Sequence, residues 1–142
     1  MKPLLLCLLL FIVGSTRAQT SAKPFKGANT ILVQLPDSGV AAWKAAAKVL
    51  LSKGYTIKNS DKELLTLSTE SKSISRAGDV ILSSNVSAHQ VVFRGIFNTH
   101  TLNDVPMQIV MRGMVGSPFM IAWNELEVVA ASLGGTITYA KQ

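Results

Sequence analysis

The spacing of apolar positions predicts a helix that leads directly into a strand, within residues 38–57. Apolar side chains recur there at three- and four-residue steps while lysines take the other side, which is typical of a helix packed on a core. Asp37 or Ser38 would cap its first turn, and Gly54 would end it in a left-handed conformation. The predicted buried stripe consists of Val40, Trp43, Ala46, Ala47, Leu50 and Leu51.

A second helix of this kind is predicted from Pro118 to about Gly134, with Ser117 as its N-cap and proline at its first position. The segment AWNELEVVAASLGGTI (122–137) aligns without a gap with AWKAAAKVLLSKGYTI (42–57) and is identical at seven of sixteen positions. A duplication would explain the likeness, and so would the general features of a tryptophan-bearing helix that ends at glycine. Because Trp43 and Trp123 fall within the apolar stripes, we predict them as core side chains rather than as platforms for stacking a ligand.

The remaining apolar runs are short and rich in β-branched residues, so they predict strands. Polar turns separate most of them, and strands joined by short turns pair antiparallel. We therefore predict an α+β fold, with a single antiparallel sheet, two helices packed on one face, and the order β-α-β-β-β-β-β-α-β. The predicted strands are 30–35, 55–59, 64–69, 80–86, 90–97, 107–115 and 136–140.

The amino terminus has the pattern of a secretory signal peptide over residues 1–18. Lys2 precedes an apolar run at 4–13, and Ala18 offers a cleavage site, with Ala22 as the alternative. A run of this length is too short to cross a bilayer, which needs about 20 residues, so no membrane span is predicted after cleavage. Residues 19–29 are expected to form a flexible leader, and residues 30–142 a single domain.

Cys7 is the only cysteine and lies in the predicted signal peptide, so the processed chain would have no disulfide and no thiolate metal site. The chain has 14 basic and 8 acidic residues. Removal of Lys2 and Arg17 leaves 12 against 8, a net charge of +4 that is spread along the chain. No basic run is interleaved with aromatic residues, so nucleic-acid binding is not predicted.

Two segments with a shared pattern, QVVFRGIF from Gln90 and QIVMRGMV from Gln108, suggest an anion site. If they form a hairpin centred near Asn103, Arg94 lies almost opposite Arg112. Like charges directly across a ladder repel each other, so a bound carboxylate or phosphate would compensate them, as would an acidic residue of a neighbouring strand. The alternative is two exposed arginines on the solvated face.

The other candidate groups favour no catalytic or metal site. His89 and His100 lack the spacing of a metal set, and a triad of His100, Asp104 and a serine would lack the G-x-S-x-G motif. Glu125 and Glu127 are two positions apart on a helix, so they would point in different directions on a solvated face. Neither a catalytic residue nor a cofactor is predicted. Four methionines are predicted as adaptable core filler, with a partner-binding surface as the alternative: Met107, Met111, Met114 and Met120.

A strand is followed by a tryptophan-bearing helix, then by a Gly-aromatic-Thr-hydrophobic run and an acidic turn, with Trp43, Gly54, Tyr55, Thr56, Ile57 and Asp61 at the positions that carry the pattern. By this pattern, residues 30–69 resemble the β-α-β-β unit of the BamC-type accessory lipoproteins of outer-membrane barrel assembly. The chain lacks the lipid-attachment motif of that family, and its second half differs. The resemblance implies a role in the cell envelope, as does a general similarity to small exported envelope proteins of unassigned function.

The first functional hypothesis is a secreted or periplasmic domain without enzymatic activity that binds a protein partner or assembles in the cell envelope. The second is a small-molecule or anion-binding protein that uses the sheet face of Arg94 and Arg112, and an enzyme comes third. The sequence carries no signal for an oligomeric state. An exposed apolar patch beside the sheet edge would favour the first hypothesis, and a closed pocket containing both arginines the second.

Overall fold

A computed structural model of the protein describes residues 18–101 and 104–142. Apart from Ala18, the predicted signal peptide lies outside these residues. The described chain forms one antiparallel sheet with two helices, which confirms the predicted α+β fold. The elements are β1 (Gln19–Ser21), β2 (Thr30–Gln34), α1 (Gly39–Ser52), β3 (Ile57–Asp61), β4 (Thr66–Thr69), β5 (Lys72–Ile74), β6 (Gly78–Ser87), β7 (Gln90–Asn98), β8 (Met107–Gln108), α2 (Pro118–Ala131) and β9 (Thr136–Lys141).

The strands lie in the order β1-β9-β2-β7-β6-β4-β3. Strand β5 pairs with the part of β6 that β4 leaves free, and β8 pairs in the same way with the end of β7 beyond β2. Both helices pack on one face, α1 mainly on β6 and β7, and α2 on β2 and β7. Alternate residues of each central strand face the helices and form the core, as Val91, Phe93 and Phe97 do in β7.

The predicted end of α1 and the predicted start of α2 are confirmed, whereas α2 ends at Ala131 rather than near Gly134. The Gly54 backbone is left-handed, and the Tyr55 amide donates to the Leu50 carbonyl at 3.0 Å, as in a Schellman motif. At α2 the Ser117 hydroxyl accepts from the Met120 amide, and Pro118 occupies the first helical position. Ser38 precedes α1 with an extended backbone, but its side chain makes no capping hydrogen bond.

The buried face of α1 is rotated about the helix axis relative to the predicted one. Ala42, Ala46 and Leu50 are the fully buried residues, whereas Leu51 is exposed. Trp43 is only partly buried, and its indole N–H donates to the Thr66 carbonyl of β4 at 3.1 Å. Small alanines therefore let α1 lie close to the sheet, and the tryptophan fills the space beside the helix.

Residues 19–29, which the sequence predicts as a flexible leader, contribute a strand and a buried side chain to the domain. Gln19–Ser21 form the edge strand β1 on β9, with Thr20 opposite Ala140. Ala28 is fully buried, and its carbonyl accepts from the Met111 amide at 2.8 Å. The ordered domain thus begins before residue 30, and its first strand is formed by a polar segment that shows no strand pattern of its own.

The predicted strand 107–115 ends after Gln108. Gln108 pairs with Ile96, so continuation of β8 would bring Met111 opposite Phe93, where β7 is already paired with Ile31 of β2. The chain therefore leaves β7, and Met111 pairs instead with the backbone of residues 27–28. This competition between β2 and β8 for one edge of β7 turns residues 109–117 into a loop.

Candidate functional site

Arg94 lies on the sheet face that carries no helix. Its Nε donates to the Thr30 hydroxyl at 3.1 Å, and one of its terminal nitrogens donates to the Gln142 side chain. Asn29 completes this network, since its side chain donates to the Gln142 carbonyl at 2.8 Å and accepts from the Gln142 amide at 3.1 Å. The guanidinium therefore serves to hold the end of β9 against β2 and β7.

Arg112 is not opposite Arg94, so the predicted arginine pair does not form. Because β8 is short, Arg112 lies in the loop after it, and its guanidinium carbon is 3.8 Å from the centre of the Phe119 ring at the start of α2. Phe119 in turn packs edge-on against Phe97, which faces the helices. Arg112 thus lies on the helical side of the sheet and Arg94 on the open side, and the two do not share an anion site.

An open groove of about 360 Å³ lies beside Arg112. Lys26 borders it, so two exposed cations flank a floor that is mostly apolar. Lys26 was not predicted as a site residue, because the sequence of residues 19–29 carries no sign that they fold against the loop after β8. The groove is lined by Lys26, Met111, Arg112, Gly113, Val115 and Met120.

Two apolar side chains project into solvent at the tip of this loop. Met114 is 83% exposed and Val115 is 96% exposed. The loop can turn outward because Gly113 and Gly116, on either side of them, have left-handed backbones with φ of 91° and 85°. We call Lys26, Arg112, Met114 and Val115 together the apolar–cationic surface.

The charges of this surface are uncompensated within the described part of the chain. Over residues 18–101 and 104–142, carboxylates lie within 4.0 Å of Lys72 and His100 but of no other basic side chain. Lys26 and Arg112 therefore present positive charge to solvent next to exposed apolar side chains. Such a combination can bind a group that is anionic on one side and apolar on the other.

His100 lies between two aspartates. Its Nε2 is 2.9 Å from an Asp79 carboxylate oxygen, and its Nδ1 is 3.1 Å from one of Asp104. Hydrogen bonds to Asp79 and then to Asp104 raise the pKa of His100 above its ordinary value. Ser71 lines the same cavity of about 130 Å³. Since both ring nitrogens are bonded to carboxylates, neither is free to take a proton from a serine, and the arrangement lacks the base of a catalytic triad.

The two histidines do not converge on a shared site. His89 contacts the Pro36 carbonyl at 2.9 Å through its Nδ1, whereas His100 contacts Asp79 and Asp104. Within the described ranges, no group of three or more His, Cys, Asp or Glu residues is placed to hold a metal ion.

The hydrogen bonds of His100 predict that its contribution to the stability of the loop between β7 and β8 depends on pH. Because its pKa is higher in the folded state, protonated His100 stabilises this loop at pH values below its unfolded pKa of about 6.5. That contribution is lost as the pH rises through the folded-state pKa. An NMR titration of the His100 ring should give a pKa above 6.5, and Asp79→Asn should lower it. An equal pKa in both proteins would contradict the arrangement.

Glu125 and Glu127 point in different directions, as predicted, but they are not a solvated face. Glu125 accepts from the Tyr55 hydroxyl at 3.0 Å and from Lys72 Nζ at 3.1 Å, and Glu127 accepts from the Tyr139 hydroxyl at 2.5 Å. Burial, and then Glu125, raise the pKa of Tyr55, and burial and the hydrogen bond to Glu127 raise that of Tyr139 to about 12. Both tyrosines are thus kept as neutral hydrogen-bond donors, and Tyr139 ties α2 to β9 while Tyr55 ties it to the connection between α1 and β3.

Comparison with known proteins adds no relative, since neither the protein-family models nor the curated proteins match this chain. In the described part of the chain, neither helix is long and apolar enough to cross a membrane.

Proposed function

We propose that this protein is an exported domain without enzymatic activity that binds a partner in the cell envelope through the apolar–cationic surface. The export step and the secreted or periplasmic location rest on the signal-peptide pattern of residues 1–18. The resemblance of residues 30–69 to an envelope-assembly family supports the same compartment.

The single observation that carries this proposal is the exposure of Met114 and Val115 beside two cations without carboxylate partners in the described chain. Nearly complete exposure of two adjacent apolar side chains costs solvation free energy that a contact with a partner would recover. Among the described residues, the other large apolar side chains are less exposed, as Leu64 is at 71% and Ile96 at 39%; Ile96 lines a second open groove of about 280 Å³ beside Arg94.

A non-enzymatic role is favoured by the arrangement of the titratable groups. His100 is bonded through both ring nitrogens, and Glu125 and Glu127 each accept from a tyrosine. These groups are occupied in holding the fold together rather than placed to transfer protons to a substrate. The second hypothesis, an anion site shared by Arg94 and Arg112, has no geometric support because the two side chains lie on opposite sides of the sheet.

Sedimentation of the processed protein with isolated envelopes tests the proposal. The wild-type protein should sediment with the envelopes, whereas the double variant Met114→Ser, Val115→Ser should stay in solution. Leu64→Ser is the matched control, because it removes an apolar side chain that is 71% exposed and lies elsewhere. All three proteins should unfold at similar urea concentrations, since none of the changed side chains is buried. Equal sedimentation of the three proteins would refute the proposal.

A further inference from the structure

We infer that the partner of the apolar–cationic surface is an anionic lipid surface, on which the 111–116 loop docks from one side. The inference rests on the proposed function and adds the chemical class of the partner.

The apolar part of the surface is a projection rather than a pocket. Met114 and Val115 are neighbours in the sequence, and both are almost fully exposed. A projecting pair of this kind suits a fluid apolar phase that closes around whatever enters it. A folded protein partner would instead need a cavity shaped to receive the two side chains. The shape therefore favours the boundary between lipid headgroups and acyl chains.

The loop is already fixed in the conformation that projects these side chains. Met111 exchanges two backbone hydrogen bonds with residues 27–28, at 2.8 and 2.9 Å. The Ser117 amide donates to the Met114 carbonyl at 3.0 Å, and the Arg76 guanidinium contacts the Gly116 carbonyl at 3.4 Å. Because the loop is tied at both ends, docking requires little further ordering of the backbone.

Three exposed cations lie around the loop that projects Met114 and Val115. Lys26, Arg112 and Arg76 are exposed around the loop, and within the described residues none of them has a carboxylate within 4.0 Å. The groove between Lys26 and Arg112 is open and large enough to admit a phosphate group. Basic side chains beside apolar ones are the arrangement by which peripheral proteins recognise anionic membranes.

Binding to protein-free vesicles tests the inference. We expect the processed protein to sediment with vesicles of phosphatidylcholine and phosphatidylglycerol, and much less with vesicles of phosphatidylcholine alone. The double variant Lys26→Gln, Arg112→Gln should bind the anionic vesicles more weakly, by about fivefold for each positive charge removed. Arg112→Lys keeps the charge and should bind as the wild type does. Met114→Ser with Val115→Ser should abolish binding to both kinds of vesicle, and Leu64→Ser should not weaken it.

The outcomes separate the inference from the proposed function. If the wild-type protein binds neither kind of vesicle but sediments with native envelopes in a manner that requires Met114 and Val115, the partner is a protein and the lipid inference is wrong. Equal binding to both vesicle types would remove the role of the cations and overturn the inference. Free inorganic phosphate should not displace the protein from the vesicles, and displacement would mean that the site binds phosphate rather than a lipid surface.

Discussion

Replacement of Trp123 by alanine should lower the free energy of unfolding by about 3 to 5 kcal/mol. Trp123 is only 1% exposed, and its ring packs against that of Tyr139 with the centres 6.0 Å apart. It lies on α2 under the part of the sheet formed by β2 and β9, so its loss would leave a cavity between two layers that cannot close. Urea unfolding followed by circular dichroism measures the effect.

Trp43→Ala is the internal control for this prediction. Trp43 is partly exposed and lies beside α1, so we expect its replacement to cost no more than about 2 kcal/mol. In the variant Trp43→Phe, the remaining indole should resist quenching by iodide. Equal destabilisation by the two alanine variants, or an indole at position 123 that iodide quenches readily, would contradict the assigned core.

Gly135→Ala should destabilise the protein by about 3 kcal/mol, although it adds one methyl group. A Cβ at position 135 would lie 2.2 Å from the Gln34 carbonyl oxygen and 2.8 Å from a methyl group of Val33. The backbone at Gly135 approaches β2 this closely because β9 begins its pairing at Thr136, opposite Gln34. The added atom would push the start of β9 away from the centre of the sheet.

Gly134→Ala provides the matched comparison. A Cβ at Gly134 would meet no atom within 4 Å, and its cost would come only from the left-handed backbone, with φ of 79°. Such a backbone costs about 1 to 2 kcal/mol for a residue with a side chain. Urea unfolding should therefore rank Gly135→Ala as the more damaging change, and the reverse order would show that β9 does not approach β2 as described.

The fold class was predictable because it depends on periodicity within short segments. The apolar steps of residues 38–57 and the alternation of residues 90–97 each identify an element without reference to the rest of the chain. The end of α1 and the start of α2 were predictable too, since Gly54 and Ser117 act on adjacent backbone groups. Such signals act between residues that are close in the sequence, so a short segment contains them.

The predictions that were wrong concern segments whose structure depends on pairing with distant parts of the chain. The strand predicted over 107–115 has the right composition, but β2 occupies the edge of β7 that its continuation would need. Gln19–Ser21 have no strand pattern and become a strand because β9 offers them an edge. The candidate site depends on the early end of β8, because Met114 and Val115 are exposed in the loop that follows it. The one sequence signal of this loop was the pair of glycines at 113 and 116.

The similarity of the two helical segments does not extend to their surroundings. Tyr55 and Gly135 occupy equivalent positions in the alignment, yet Tyr55 is buried and bonded to Glu125, whereas Gly135 lets β9 approach β2. The strand that follows α1 lies at the edge of the sheet, and the strand that follows α2 lies next to β2. The shared residues therefore end the two helices in the same way, but the segments that follow the helices pack differently.

The most direct test of the account measures whether the apolar–cationic surface is covered in the envelope. Cys7 falls in the predicted signal peptide, so Val115→Cys would give the processed protein a single thiol, and Leu64→Cys would do so at the control position. A membrane-impermeant maleimide should label both variants rapidly when they are purified. In isolated envelopes we predict much slower labelling at position 115 and unchanged labelling at position 64. Equal labelling rates at the two positions in the envelope would show that the surface is free and would contradict the account.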